Sequence, residues 1–140
     1  YLNYRYGTTV QEDMSTEINP TKTKTLILGA TPNTSRYAYL AANKLVGYQH
    51  EIVNVGIKKG SVAGVEILNG MPEVEGVDTI TLYVGPKHQP PYYDWLLSLQ
   101  PRRIIFNPGT ENPELAKLAR EKGIETEVAC TLVMLATGMY

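Results

Sequence analysis

From Lys24 onward the chain alternates between short apolar runs and stretches of helical period. Residues 24–29, KTLILG, are apolar without a polar face, the pattern of a strand buried on both sides. Tyr37, Leu40, Ala41 and Leu45 then fall at helical spacing up to Gly47, a stop signal. HEIVNVG (50–56) reads as a second strand and VEIL (65–68) as a short third one, followed by DTITLYVG (78–85). QPPYYDWLLSLQ (89–100) reads as a helix, with Pro90 and Pro91 in its first turn. RRIIFNPG (102–109) is the next strand. NPELAKLAREKG (112–123) is a helix with Pro113 near its start and Gly123 as its stop. IETEVA (124–129) closes the strand series and TLVMLATG (131–138) is a short last helix. This alternation predicts an α/β fold: a Rossmann-like, doubly wound three-layer sandwich around a mostly parallel sheet of about five strands. Residues 1–23 show neither period and are expected to be a flexible arm or leader. Met14 reads as a natural start, and residues 24–140 form one domain.

Composition changes this picture little. A chain of 140 residues, 43% of them hydrophobic, is enough for one core. A formal net charge of -1 gives no field to recruit nucleic acid or an anionic membrane, and no apolar run approaches the ~20 residues of a membrane span. Residues 1–13 lack the apolar core of a signal peptide. The single cysteine, Cys130, fits a cytoplasmic setting. His50, His88 and Cys130 lie far apart along the chain, so no metal-ligand cluster is legible.

In a doubly wound sheet, ligands bind beyond the carboxyl ends of the strands. The candidate residues therefore lie in the strand-to-helix turns. The first, Gly29 to Arg36, matches the dinucleotide fingerprint only at Gly29, because Thr31 and Thr34 stand where glycines would. Its Ala30, Thr31, Pro32, Thr34, Ser35 and Arg36 can still surround a diphosphate resting on open helix amides. Thr34 or Ser35 would serve equally as a helix cap. The second turn is more informative. NAD sites of this type carry an acid after the second strand, but here Asn54 takes that place and Lys58 and Lys59 follow. A missing carboxylate with two cations favours a ligand with an extra phosphate on its ribose: CoA or NADP.

The segments LILGATPNTSR, VNVGIKKG, LYVGPKHQ, FNPGTEN and EVACTL, in this order and spacing, resemble the CoA-binding domain. That domain forms the amino-terminal half of the succinyl-CoA synthetase α subunit and also occurs as stand-alone bacterial proteins, which this chain resembles more. The resemblance covers roughly residues 24–138. It implies a cradle for the CoA phosphates at Gly29, Thr31 and Pro32, and a lysine near the adenosine at Lys59. It further implies a nucleotide border at Tyr83, Val84 and Pro86, a pocket loop at Asn107, Pro108, Gly109 and Thr110, and a family cysteine at Cys130. The family often has Ser where Thr31 stands, and the synthetase's phosphohistidine lies in a later domain, so synthetase chemistry is not implied.

The expected function is thus a nucleotide-binding module for CoA or an acyl-CoA. Alternatives are an NAD(P)-binding protein or redox sensor, and an enzyme on acyl-CoA using His88 or Cys130. His50 opens a strand at the sheet's amino end, away from the ligand, while Asp94 and Trp95 read as surface and core. The apolar last helix needs cover, which a homodimer would supply.

Overall fold

The computed structural model describes residues 23–140; the expected arm lies outside them except for Thr23. The elements are β1 (Thr25–Leu28), α1 (Tyr37–Gly47), β2 (Ile52–Val55), β3 (Ser61–Val62), β4 (Val65–Leu68), β5 (Thr79–Leu82), α2 (Tyr93–Ser98), β6 (Arg103–Phe106), α3 (Pro113–Glu121), β7 (Glu125–Val128) and α4 (Thr131–Thr137). The strands form one sheet in the order β3-β4-β2-β1-β5-β6-β7, parallel throughout except for the β3–β4 pair. The α/β class holds, with seven strands rather than about five. The two-residue β3 is too short to leave a period in the sequence.

Alternation along each strand divides the core between the two faces of the sheet. Leu26, Leu28, Ile80, Leu82, Ile104 and Phe106 pack with Leu96, Leu97, Leu115 and Ala119 of α2 and α3. Ile27 and Ile52 pack on the other face with Ala38, Ala42 and Leu45 of α1 and Leu135 of α4. This second face is less apolar than the sequence suggests, because Thr25, Thr79, Thr81 and Arg103 are also fully buried or nearly so. Each finds a partner, as buried polar groups must. Arg103 Nε donates to Thr79 Oγ1 (2.9 Å) and its Nη2 to the Tyr140 backbone oxygen (2.9 Å). Its guanidinium lies 4.4 Å from the centre of the Tyr140 ring, and Tyr140 in turn bonds Thr25 Oγ1. Met134 and Leu135 of α4 are buried within the chain, while Val133 and Met139 are exposed.

A second element also differs from the sequence reading. Residues 89–100 are not one helix: two 3₁₀ turns, Pro86–His88 and Pro90–Tyr92, precede a six-residue α2. Pro90 and Pro91 have no amide hydrogen to donate, and the chain takes tighter turns across them. Trp95 is half-buried, and its Nε1 donates to Pro72 O (2.9 Å), pinning the helix-free crossover from β4 to β5.

At the amino edge, Arg102 donates to both oxygens of Asp78 (3.0 and 3.1 Å). Burial pushes the Asp78 pKa up, but the hydrogen bonds from Arg102 and Thr79 and the charges of Arg102 and Arg103 outweigh it, and the carboxyl is held below its ordinary value. A folded pKa below the unfolded one contributes stability above the unfolded pKa and loses it as pH falls through the folded value. Asp78→Asn is therefore expected to flatten the acid limb of stability against pH, read as urea midpoints from neutral pH downward. An unchanged acid limb would place its origin elsewhere.

Candidate functional site

β1 is the centre of the sheet: the chain moves to one side of it through β2 and β4, then crosses to its other side at β5. The carboxyl ends of β1 and β5 thus frame the switch point where ligands lodge in such sheets. The local backbone is built for close approach. Gly29 has φ +104°, and a Cβ there would lie 3.0 Å from the Tyr83 carbonyl carbon and oxygen. Val55 O accepts from both Gly29 N (2.8 Å) and Ala30 N (3.0 Å), which hooks the first turn onto β2.

A cleft of about 660 Å³ opens over this point. The first turn contributes Gly29, Ala30, Thr31 and Arg36, and the β2 turn contributes Gly56, Ile57 and Lys58. Tyr83, Val84, Gly85, Lys87 and His88 line it from beyond β5, with Met71, Pro91 and Tyr92 nearby. A smaller recess of about 180 Å³ shares Gly29, Thr31, Arg36, Tyr83 and Gly85, and reaches Pro108, Gly109 and Thr110 beyond β6. Neither is lined by an Asp or Glu, and the cleft carries three cations. Arg36, Lys58 and Lys87 form no ion pair among the described residues. In a chain with 14 acidic residues, that segregation gives the cleft a positive field. Another hollow, about 680 Å³, lies at the opposite end of the sheet between the carboxyl ends of α2 and α3. Its walls include Asp94, Glu121 and Lys122, and it touches no strand-to-helix turn of the switch point.

The turns bearing the cations are braced by side-chain amides. Asn69 Nδ2 donates to Gly56 O (2.6 Å) and Lys58 O (3.0 Å). Gln89, with no exposed surface, donates to Val84 O and Thr110 O (2.9 Å each) and accepts from Asn112 Nδ2 (2.8 Å), tying the β5 turn to the loop after β6. Tyr83 lines both spaces, and its hydroxyl is buried without a hydrogen-bond partner. Burial pushes its pKa up to about 12, only partly opposed by the Thr131 and Thr81 hydroxyls, which are bonded to each other at 2.8 Å. The phenol is thus neutral at physiological pH.

The sequence-derived candidates divide on this geometry. Gly29, Ala30, Thr31, Arg36, Lys58, Tyr83 and Val84 line the cleft, and Pro108 and Gly109 line the recess. Pro32, Thr34, Ser35, Lys59, Pro86 and Cys130 line neither. Asn54, at the position of the ribose acid, lines neither space. It is fully buried on β2, and its Nδ2 donates to Val62 O (3.2 Å) and Val65 O (3.1 Å), fastening the β3–β4 hairpin. Asn107 likewise turns inward: its Nδ2 donates to Thr81 Oγ1 (2.7 Å) and Leu82 O (2.8 Å), and its Oδ1 accepts from Thr131 N (2.8 Å). Neither Thr34 nor Ser35 caps α1. Arg36 holds the cap position without a side-chain bond, and Ser35 bonds Asn33 Oδ1 through both its amide and its hydroxyl. His50 lies buried at the amino edge, its ring 5.0 Å from that of Tyr140. His88 lines the cleft. Cys130 is half-buried at the cap position of α4.

Sequence reasoning missed Lys87, Ile57, Met71, Pro91 and Tyr92 as cleft residues. Lys87 sits in the quoted LYVGPKHQ segment, but only the fold brings it to the cleft. Met71 reaches the cleft only because the crossover loop passes it.

The family described as CoA binding domain matches residues 23–136. The chain belongs to that family. A crystal structure of an uncharacterized protein is 56% identical, with a TM-score of 0.83, covering 85% of this chain and 98% of the other. A Thermus thermophilus protein described as cell-free ID.343 superposes with a TM-score of 0.76 at 22% identity, covering 86% and 92% of the two chains. A hypothetical protein from Pyrococcus horikoshii OT3 gives 0.75 at 21% identity, covering 83% of each. The last two share the CoA-binding-domain family member's fold. No match was found among curated proteins. No helix among the described residues is long and apolar enough to cross a membrane.

Proposed function

We propose that the switch-point cleft binds CoA or an acyl-CoA, and that the chain acts as a CoA-binding module. The observation that carries this is the cleft's charge: Arg36, Lys58 and Lys87 line it and no carboxylate does. CoA presents a diphosphate and a ribose phosphate, and the residues fit both. Gly29, Thr31 and the first turn of α1, whose leading amides have no helical carbonyl to bond, would hold the diphosphate with Arg36. Lys58 would meet the ribose phosphate, while Ile57, Met71 and Tyr92 offer apolar surface to the adenine. Bound CoA would supply a thiol that carries acyl groups as thioesters.

Calorimetric titration with CoA, dephospho-CoA, NADP and NAD at one salt concentration tests this. Charge-assisted contacts to one phosphate are worth roughly 1.5–3 kcal/mol, so CoA should bind about tenfold or more tightly than dephospho-CoA. NAD binding best, or no nucleotide binding, would refute the reading. Arg36→Ala should weaken CoA and dephospho-CoA alike, by about tenfold, since both carry the diphosphate. Lys59→Ala should weaken CoA less than Lys58→Ala does, because Lys59 lines neither space. His88 lines the cleft, so release of free thiol from acetyl-CoA is worth assaying; thiol release abolished by His88→Ala would turn the module into an enzyme.

A further inference from the structure

Lys87 becomes a site residue only through the fold. It lies on the 3₁₀ turn beyond β5, whereas Lys58 lies on the turn beyond β2, and β1 runs between those two strands. The cleft therefore has one lysine on each wall. Neither forms an ion pair among the described residues, and no acid lines the space to neutralise them. Two unpaired ammonium groups on one cavity repel each other, and an anion between them removes that repulsion while satisfying both. The backbones that carry them are held in advance, Lys58 by Asn69 and the β5 turn by Gln89, so the walls need little ordering to meet a ligand.

A phosphate monoester has three acceptor oxygens and a charge of about -1.5 to -2, enough for two ammonium partners. The diphosphate already has the Gly29 turn and Arg36. We propose that Lys58 and Lys87 hold a single phosphate on the ligand's adenosine ribose, one from each wall. Lys87 is then a specificity-determining residue for 3'-phosphorylated adenosine nucleotides. The inference rests on the CoA reading above and adds to it the residue that selects the ribose phosphate.

The test is a calorimetric titration of the full chain and its Lys87→Ala, Lys87→Arg and Lys58→Ala variants with CoA and dephospho-CoA. Lys87→Ala should weaken CoA about tenfold and shift dephospho-CoA by less than about twofold. Lys58→Ala should do the same, and Lys87→Arg should restore most of the CoA affinity by keeping the charge. An equal loss for both ligands would overturn the proposal, because Lys87 would then act only through the general field. No loss for either would overturn it as well. In both cases CoA binding by the parent leaves the module reading intact. Failure of the parent to bind CoA removes both together, and is seen before any variant is made.

Discussion

Asn107→Ala is expected to lower the stability of the domain by about 3 kcal/mol, since each buried group left unpaired costs about 1–3 kcal/mol. The side chain leaves β6 and joins three elements. It donates to Thr81 Oγ1 and Leu82 O at β5 and accepts from Thr131 N at the start of α4. Truncation strands the Leu82 carbonyl and the Thr131 amide in a region where Asn107 itself is only 2% exposed. Thr81 and Thr131 keep their bond to each other, which limits the damage. Urea denaturation should show the midpoint falling, and hydrogen exchange should show the α4 amides losing protection before the rest. A midpoint close to that of the parent would mean that water replaces the amide without cost. The substitution also bears on the site, because Asn107 holds the end of β6 from which Pro108, Gly109 and Thr110 line the recess.

Gly56→Ala should be comparably costly for a different reason. A Cβ at Gly56 would lie 2.4 Å from the Ala30 carbonyl oxygen and 3.1 Å from its nitrogen. Both obstacles are backbone, and the same peptide segment is fastened to Val55 O by the Gly29 and Ala30 amides. Neither turn can give way without breaking those bonds. Overpacking typically costs about 1–3 kcal/mol, and a backbone clash belongs at the upper end. The melting temperature should fall on the order of 10 °C. CoA affinity should fall with it, because the first turn is the part that must move. Gly47→Ala is the control: a Cβ there meets nothing within 4 Å, and Gly47 is the last residue of α1. It should be neutral or stabilising by about 0.4–1 kcal/mol. Equal melts for the two variants would show slack between the β1 and β2 turns.

Much of the architecture was legible because its signals are local. The strand KTLILG, the helix that Asn112 caps and Pro113 opens, and the left-handed stop at Gly123 all appear where the pattern puts them. The runs at residues 50–56, 78–85 and 102–109 each hold a largely buried strand; 124–129 also holds one, β7, but as a half-exposed strand at the edge of the sheet. The first turn and the β5 turn, picked out by glycines at strand ends, both line the cleft.

Which side chains face the ligand was not local information. Asn54 and Asn107 stand at strand ends, where the sequence suggests ligand contacts, yet both turn inward to satisfy backbone groups of neighbouring elements. Their partners lie 8 to 26 residues away, so only the assembled sheet reveals the demand that they meet. Of the lysine pair, Lys58 lines the cleft and Lys59 does not, and Lys87 is brought to the same space from 29 positions beyond Lys58 by the crossover to β5. The sequence by itself determined the alternation of strands and helices and the glycine turns of a CoA-binding domain. Tertiary structure alone decided which polar residues became internal fasteners and which cations were left unpaired around the cleft. A hydrogen bond or a field between distant segments exists only once the sheet has ordered them in space.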